Sequence, residues 1–283
     1  MKRLALLLIG ALCLVAAPPV TPSKSGLDPE RLARIPARMN EFVGKGEAAG
    51  IVTLVQRHGV LASLDAVGFQ DLDAKKQMRK DSIFQIASMT KPVTGVAIMM
   101  LVEEGKISLG DPVEKYLPEF RGMQTVVARD AKSRTLAKPA RLITIRDLMT
   151  HTSGMAGDYP ESLADLMEKG NRTLAEAVLV FSQQPLVFQP GTQYLYSNMG
   201  INTLGRIVEL VSDQPFERFC ESRIFQPLGM KDTFFIPPTD KYDRIAVIYD
   251  SKTASSLART STFTARTTGS SAPRAVCSRP LPT

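Results

Sequence analysis

A serine followed three residues later by a lysine, Ser88 and Lys91, stands before a long apolar stretch of this 283-residue chain. On a helix, positions three apart share a face, so the Lys91 amine is expected beside the Ser88 hydroxyl. A serine hydroxyl becomes a useful nucleophile when a neighbouring base takes its proton, and a desolvated lysine amine can help to do so. The pair therefore predicts a serine that is acylated during an acyl-transfer reaction.

Tyr196 and Asn198 follow far downstream, in the sequence Tyr-Ser-Asn. A tyrosine held near the Lys91 ammonium is pushed toward phenolate and could itself act as the base. The Asn198 amide offers both a donor and an acceptor, which suits it to orient the substrate or Lys91. Taken alone, Ser88 also fits a helix N-cap and Lys91 a solvated residue of the first turn, so this structural alternative stays open.

Four segments of the chain contain recognisable motifs: FQIASMTKP at residues 84–92, LMTHTSG at 148–154, PGTQYLYSNMG at 190–200 and PLGMKDT at 227–233. In this order they resemble the serine β-lactamase-related family, which covers class C β-lactamases, DD-peptidases and β-lactamase-like esterases. The tyrosine in the third of these segments places the resemblance nearer the class C and esterase branch.

The resemblance implies an α/β (α+β) fold of the β-lactamase/DD-peptidase type, with an antiparallel sheet flanked by helices and an inserted helical region. It implies Ser88 as the nucleophile, Lys91 and Tyr196 as the proton-handling pair, and Asn198 as a substrate-orienting group. The expected function is an exported serine hydrolase that acts through a Ser88 acyl-enzyme on ester or amide substrates, including β-lactams and D-alanyl peptides. The spacing between Ser88 and Tyr196 favours the esterase-like members, and no cofactor is implied.

Residues 251–283 depart from the family pattern. Members normally have a third motif of the His-x-Gly, Lys-Thr-Gly or Trp-Gly-Gly type on a C-terminal strand, and nothing after Tyr196 matches it. The segment is rich in Ser, Thr, Arg and Ala and has no acidic residue, a composition that predicts disorder. We interpret it as a frameshifted or truncated end that lacks the C-terminal sheet strands, with a natural linker or tail as the alternative.

A second function therefore stays open. A chain without those strands is a non-catalytic remnant of the fold with at most weak acyl-ligand binding, because half of the oxyanion hole is lost. The resulting domain plan has a signal peptide at residues 1–17, an incomplete serine hydrolase domain at 18–250 and a tail at 251–283.

The N-terminus has the composition of a secretory signal peptide. Lys2 and Arg3 precede an apolar run that ends in small residues near Ala17. The run is too short for a permanent spanning helix, and Leu12 before Cys13 argues against lipid attachment at that cysteine. We expect a secreted or periplasmic protein without a stable membrane anchor.

The net charge of +7 does not indicate nucleic-acid binding. Two of the excess positive charges are Lys2 and Arg3 and five lie in the tail, so residues 18–250 are neutral overall. Binding to nucleic acid needs basic residues on one folded face. The expected partner is a small-molecule ester, β-lactam or peptide substrate, and the oligomeric state does not follow from the sequence.

Other candidate residues receive structural interpretations. His151 and Ser153 are too close in the chain for a Ser-His catalytic pair, so we expect His151 to lie in a turn and form hydrogen bonds. Tyr194 is predicted on a strand with Tyr196, where alternation points both the same way, so the resemblance alone selects Tyr196. No group of His, Cys or carboxylates has metal-ligand spacing.

The pattern of apolar residues predicts the elements around these motifs. We expect a hairpin around His58-Gly59 between residues 51–57 and 64–69, a loop or an insertion at 123–140, and helices at 93–104, 145–149, 174–181, 201–211 and 216–225.

Overall fold

Two compact units divide the chain between Lys80 and Asp81. The computed structural model describes residues 20–130, 133–157, 173–249 and 276–277. The predicted signal peptide at 1–17 lies outside these residues, as does most of the predicted tail. No helix within the described ranges is both long and apolar enough to cross a membrane.

The first unit is built on the predicted hairpin. Strand β1 (Gly50–Arg57) pairs antiparallel with β2 (Val60–Asp71), which also pairs with the short β3 (Lys76–Gln77). His58 and Gly59 form the turn with positive φ values of 50° and 74°, as a two-residue hairpin turn of the primed type requires. Between residue 20 and the hairpin, the structure has three helices: α1 (Pro22–Ser25), α2 (Pro29–Leu32) and α3 (Arg34–Gly44).

Helices form the core of the second unit. They are α4 (Lys91–Glu103), α5 (Ile145–Met149), α6 (Leu174–Ser182), α7 (Asn198–Ser212) and α8 (Phe216–Cys220), which continues as a π-helical turn over Glu221–Phe225. The predicted helices are thus confirmed, although α7 begins three residues earlier than expected. Helices α4 and α5 both pack against α7. The buried residues shared among these elements include Ile98, Leu101, Ile145, Leu148, Val178, Phe181, Leu204, Ile207 and Phe216.

Helix α4 is apolar on most of its circumference, and one of its faces stays exposed. Thr94, Ala97 and Ile98 are buried, whereas Val96 is 48% and Met99 44% exposed. Helix α4 therefore presents an apolar strip that includes Val96 and Met99 on its exposed side.

Residues 123–140, predicted as a loop or an insertion, contain a hairpin, so the loop alternative is wrong. Strand β5 (Thr125–Arg129) pairs antiparallel with β6 (Arg134–Ala137). The Val126 N–H donates to the Leu186 carbonyl at 2.8 Å, and the Leu186 N–H donates to the Gln124 carbonyl at 2.8 Å. These two bonds attach the hairpin to the segment that follows α6.

A small sheet lies next to the segment that contains Ser88. Its strand order is β4 (Phe84–Gln85), β8 (Val276–Cys277) and β7 (Thr233–Phe234), all antiparallel. Strand β8 lies within residues 251–283, and the disorder predicted for that segment as a whole stays a prediction.

Arg244 anchors the chain just before β4. Its guanidinium donates two hydrogen bonds to the Asp232 carboxylate, at 2.9 and 2.8 Å, and two to the Asp81 carbonyl, at 2.9 and 2.7 Å. Its own carbonyl accepts from the Ile83 N–H at 2.7 Å. The bidentate pair has a fixed geometry, so it sets where the Ser88 segment begins.

Candidate active site

Ser88 lies in a 3₁₀ turn (Ala87–Thr90) that leads directly into α4. Lys91 is the first residue of α4, and its Nζ donates to the Ser88 Oγ at 3.1 Å. Ala87, immediately before Ser88, has a φ of +43°, a region that non-glycine residues adopt at an energetic cost and that recurs at functional sites. The expected contact between Ser88 and Lys91 is therefore present.

Asn198 reaches the same lysine from another helix. Ser197 is the N-cap of α7, and its Oγ accepts from the Gly200 N–H at 3.0 Å, which makes Asn198 the first helical residue. Since α4 packs against α7, the Lys91 Nζ also donates to the Asn198 Oδ1 at 2.9 Å. A lysine ammonium has three N–H donors, and Ser88 and Asn198 receive two of them.

Tyr196 completes the set around Lys91. Its ring centroid lies 4.4 Å from the Lys91 Nζ, within the distance of a cation–π contact. Tyr196 is 38% exposed, and Ser88 is also exposed to solvent. The structure thus brings together all four residues predicted from the sequence, at a site that is open on one side.

His151 is the neighbour that the sequence motifs did not place at the site. It lies in a turn with a φ of +60°, and its Nδ1 accepts from the Ser197 N–H at 3.1 Å. Its ring centroid is 4.7 Å from that of Tyr196 and 5.9 Å from that of Tyr194. Burial, and then the charge of Lys91, lower the pKa of His151 below its ordinary value of 6.5.

Ser153 is not the partner of His151. It is buried, and its Oγ accepts from the Met155 N–H at 3.2 Å. The turn and hydrogen-bonding role expected for His151 is therefore present, and a Ser-His pair is not.

The strand predicted around Tyr194 and Tyr196 is wrong, because residue 193 lies in a bend and residues 194–197 form neither a strand nor a helix. Tyr194 is 67% exposed. Both tyrosine rings contact His151, but among the described residues only the Tyr196 ring forms a cation–π contact with Lys91. Of the two tyrosines, Tyr196 is therefore the one whose ring lies beside the Lys91 ammonium.

The segments around His151 and Tyr196 bind each other through main-chain and side-chain hydrogen bonds. Residues 151–157 accept hydrogen bonds from residues 187–198, and we call this set of bonds the motif contact. It comprises Val187 N–H to Gly154 O at 2.8 Å, Gly191 N–H to Thr152 O at 2.8 Å, Leu195 N–H to His151 O at 2.9 Å, Ser197 N–H to His151 Nδ1 at 3.1 Å, Ser197 Oγ to Ala156 O at 2.7 Å and Asn198 N–H to Gly157 O at 3.0 Å. Each segment was visible in the sequence, but their pairing was not.

Asp147 on α5 binds Thr152, one of the residues of the motif contact. Its carboxylate accepts from the Arg141 guanidinium at 2.6 and 2.8 Å, from the Thr144 N–H at 2.9 Å and from the Thr152 Oγ1 at 3.1 Å. Burial alone would raise the pKa of Asp147, but the hydrogen bonds from Arg141 and Thr144 lower it to about 2. The ionised carboxylate thereby fixes Thr152, which adjoins His151.

Ser88 is the second residue of its 3₁₀ turn. Its N–H is therefore among the first donors of the helical segment, which have no acceptor within the helix. A cavity of about 720 Å³ lies elsewhere, with Val113, Phe120, Met123 and Ile143 in its lining, and it contains none of the four site residues. In the described residues no group of three His, Cys, Asp or Glu side chains could hold a metal ion.

The comparison with protein families gives one match that covers most of the chain. The model of the family described as Beta-lactamase matches residues 35–276. All four site residues and both segments of the motif contact lie within this range.

Individual relatives agree with that match. Protein Rv1367c of Mycobacterium tuberculosis is 37% identical over 223 residues, covering 75% of this chain and 54% of the relative. Esterase EstB of Burkholderia gladioli is 32% identical over 245 residues, covering 83% of this chain and 59% of the relative. The chain therefore spans little more than half the length of these curated relatives.

Among solved structures, EstCE1, described as a hydrolase with promiscuous acyltransferase activity, aligns with a TM-score of 0.72 and 25% identity over 88% of this chain and 70% of that chain. The expected fold of the β-lactamase/DD-peptidase type is confirmed. With a family model that matches residues 35–276 and a relative 37% identical over 75% of the chain, this protein belongs to the beta-lactamase family.

Proposed function

We propose that the protein is a serine hydrolase that forms an acyl-enzyme on Ser88. The observation on which this rests is the position of the Lys91 Nζ, 3.1 Å from the Ser88 Oγ and 2.9 Å from the Asn198 Oδ1, with the Tyr196 ring 4.4 Å away. A lysine shared among a hydroxyl, an amide and a phenol is arranged to activate the hydroxyl. A purely structural lysine would not need all three neighbours.

In the acylation step, the Ser88 Oγ adds to the carbonyl carbon of the substrate. As an ammonium that donates to Ser88 and Asn198, Lys91 has no lone pair for the serine proton, so we assign the proton acceptor to the Tyr196 phenolate. The ammonium stabilises the phenolate and the developing charge on Ser88 through its proximity. The carbonyl oxygen becomes an oxyanion, for which the Ser88 N–H is one donor.

Collapse of the tetrahedral intermediate breaks the bond to the leaving group, which takes the proton from Tyr196. The product of this half-reaction is an ester on Ser88 and a free alcohol or amine. In the second half, water adds to the ester carbonyl and gives its proton to Tyr196. The Ser88 Oγ then leaves and recovers that proton, which releases a carboxylic acid.

We propose esters as the preferred substrates. One relative is an esterase by name, and a solved relative is described as a hydrolase with acyltransferase activity. The exposed positions of Ser88 and Tyr196 support the same choice. An activated ester needs little stabilisation of its leaving group, whereas a β-lactam or D-alanyl peptide amide depends more on an enclosed site.

Export is the second part of the proposal. Its support is the charged start at Lys2 and Arg3, followed by the apolar residues up to Ala17. N-terminal sequencing of the protein from a periplasmic or culture fraction should show a new terminus near residue 18. The full-length terminus in the cytoplasmic fraction alone would contradict export.

The hydrolase proposal is tested by Ser88→Ala in the full chain, with p-nitrophenyl acetate as substrate. We expect kcat to fall by at least about 10³-fold, because the variant has no atom that can be acylated. Ser133→Ala is the matched control, since Ser133 lies in the turn between β5 and β6 and bonds only Asp130 among the described residues. Intact-mass measurement with a slowly hydrolysed ester should show one acyl adduct in the wild type and none in Ser88→Ala.

Equal rates in the wild type and Ser88→Ala would contradict the proposal. Together with a thermal scan that shows no cooperative transition, they would favour the alternative of a non-catalytic remnant. A cooperative transition without Ser88-dependent turnover would identify a folded chain that lacks the activity.

A further inference from the structure

His151 contacts Tyr196 and its neighbours in three ways: it accepts two main-chain hydrogen bonds and packs against the Tyr196 ring. The N–H groups on either side of Tyr196, from Leu195 and Ser197, donate to the carbonyl and the Nδ1 of His151 at 2.9 and 3.1 Å. The Tyr196 ring lies against the imidazole at 4.7 Å, with an interplanar angle of 33°. No other described residue both bonds the main chain around Tyr196 and stacks on its ring.

The bond from Ser197 determines the state of the imidazole. A main-chain N–H can only donate, so the Nδ1 of His151 must have a free lone pair, and the single ring proton lies on Nε2. Protonation of Nδ1 would replace this bond by two facing N–H groups. It would also place a second positive charge close to Lys91.

We propose that neutral His151 is a positioning residue that sets the orientation of Tyr196, and that its protonation releases Tyr196 from the site. This inference rests on the proposed function in one respect, the role of Tyr196 as proton acceptor. His151 itself touches neither Ser88 nor the reacting atoms. It acts through the main chain and ring of Tyr196.

The groups around His151 favour the neutral form. Lys91 on α4 is the cation that faces it, and Tyr194 and Tyr196 are its ring neighbours. A phenolate at Tyr196 opposes the effect of the Lys91 charge, so burial is the main reason that His151 stays neutral. The carboxylate of Asp147 on α5 is committed to Arg141, Thr144 and Thr152. Burial and the Lys91 charge both lower the pKa of His151, so the orienting contact is present at neutral pH and is lost as the pH falls through that lowered pKa.

Two substitutions test the hydrogen bond to Nδ1 without straining the backbone at residue 151. His151→Gly removes the ring and the acceptor but tolerates the φ of +60° without strain. His151→Asn also tolerates this conformation, and its side-chain oxygen can replace Nδ1 as acceptor without titrating. The chain has one other histidine, His58, which is exposed at a hairpin turn with a φ of 50°, so His58→Asn is the matched control.

The measurement is the pH dependence of kcat and KM for p-nitrophenyl acetate between pH 4.5 and 8. We expect His151→Gly to lower kcat by about 10²-fold with little change in KM, since misplacement of a catalytic group by about 1 Å costs that much. His151→Asn should recover at least about tenfold of this loss by restoring the acceptor, and should remove the acidic inflection seen in the wild type. His58→Asn should leave both the rate and the inflection unchanged.

Two kinetic results would overturn the proposal. One is a His151→Gly variant whose kcat stays within about twofold of the wild type, a change smaller than 1 kcal/mol in barrier height. The other is a His151→Asn variant that keeps the wild-type acidic inflection.

A spectroscopic readout distinguishes failure of this inference from failure of the proposed function. In His58→Asn protein labelled with ¹⁵N-histidine, the only signals come from His151. We expect a protonated Nε2, an unprotonated Nδ1 and a midpoint below that of free imidazole. A tautomer mixture with an ordinary midpoint overturns the orienting contact even if Ser88-dependent turnover is found, and the expected spectrum supports it even if turnover is absent.

Discussion

Ser197 links the two sides of the candidate site although it has no catalytic role in the proposal. Its buried Oγ accepts from the Gly200 N–H at 3.0 Å as the cap of α7 and donates to the Ala156 carbonyl at 2.7 Å. Its neighbours Tyr196 and Asn198 both contact Lys91. The conformation of one serine thus fixes the direction of two site residues.

Substitution of Ser197 by alanine should therefore reduce both stability and activity. Loss of the cap costs about 1 kcal/mol, and the buried N–H and carbonyl left without partners add about 1–2 kcal/mol. We expect a lower urea midpoint and a kcat reduced by about tenfold or more, because Tyr196 and Asn198 lose their fixed geometry.

Thr173→Ala provides the comparison for that prediction. Thr173 caps α6 with the same kind of bond, to the Glu176 N–H at 3.2 Å, but it is exposed. It should lose about 1 kcal/mol of stability without a change in kcat. An equal effect of both substitutions on kcat would show that Ser197 affects activity only through global stability.

Residue types, spacing and the family resemblance together predicted Ser88, Lys91, Tyr196 and Asn198 as site residues, and the structure brings these four side chains together. These sequence features were not enough to predict the contact of His151 with Tyr196. That contact depends on the positive φ at His151 and on the pairing of two segments about 45 residues apart in the sequence, and neither is encoded in a short pattern.

At the level of elements, the motif contact requires a close approach of two main chains at Gly154. This glycine has a φ of +82°, and a Cβ atom at its position would lie 2.3 Å from the Phe188 carbonyl oxygen. Neither the conformation nor the space permits a side chain. The glycine in the sequence LMTHTSG is therefore explained by packing.

Gly154→Ala should lower the free energy of unfolding by about 2–4 kcal/mol, from backbone strain together with displacement of the Phe188 segment. Chemical denaturation measures this loss. Gly44→Ala is the control, because Gly44 ends α3 with open space around it, and alanine there should be neutral or slightly stabilising. Similar losses for the two variants would show that the close approach at Gly154 is relieved by small movements.

The strands within residues 123–140, a stretch predicted as a loop or an insertion, were missed for a physical reason. Strands β5 and β6 are largely exposed, so polar residues and Arg129 and Arg134 occupy positions that a buried strand would give to apolar residues. Hydrophobic periodicity detects only elements with a buried face. The β1–β2 hairpin and helix α4 have such faces, and both were predicted.

At the scale of the whole molecule, two carboxylates, one buried (Asp147) and one partly buried (Asp232), connect stability to pH. Asp147 is held by Arg141 and Thr144, and Asp232 by Arg244 and Lys241. For each, burial alone would raise the pKa, but the hydrogen bonds prevail and lower it from 3.8 to about 2.

The sign of the effect follows from the lowered pKa values. Each carboxylate stabilises the fold above its unfolded pKa near 4, and this contribution is lost as the pH falls through the folded value near 2. Each is worth up to about 2 kcal/mol. The free energy of unfolding can be measured with urea at several pH values. We expect the contribution of these two carboxylates to be constant above pH 5 and to fall steeply between pH 4 and 2.

Asp232→Asn should weaken the fold at neutral pH and flatten that decline. Asp213→Asn, at the exposed end of α7 in a left-handed conformation that asparagine tolerates, should leave the curve unchanged. A decline of the same steepness in Asp232→Asn would assign the acid sensitivity to other carboxylates.

The motif contact also has a consequence for amide hydrogen exchange. The main-chain N–H groups of residues 187, 191, 195, 197 and 198 all donate to residues 151–157. They should therefore exchange together when the two segments separate. This cooperative opening should cost less free energy than global unfolding. Each such event detaches Tyr196 and Asn198 from Lys91 while the helical core stays folded. The fraction of molecules able to react would then be set by this local opening, and conditions too mild to unfold the protein could silence it.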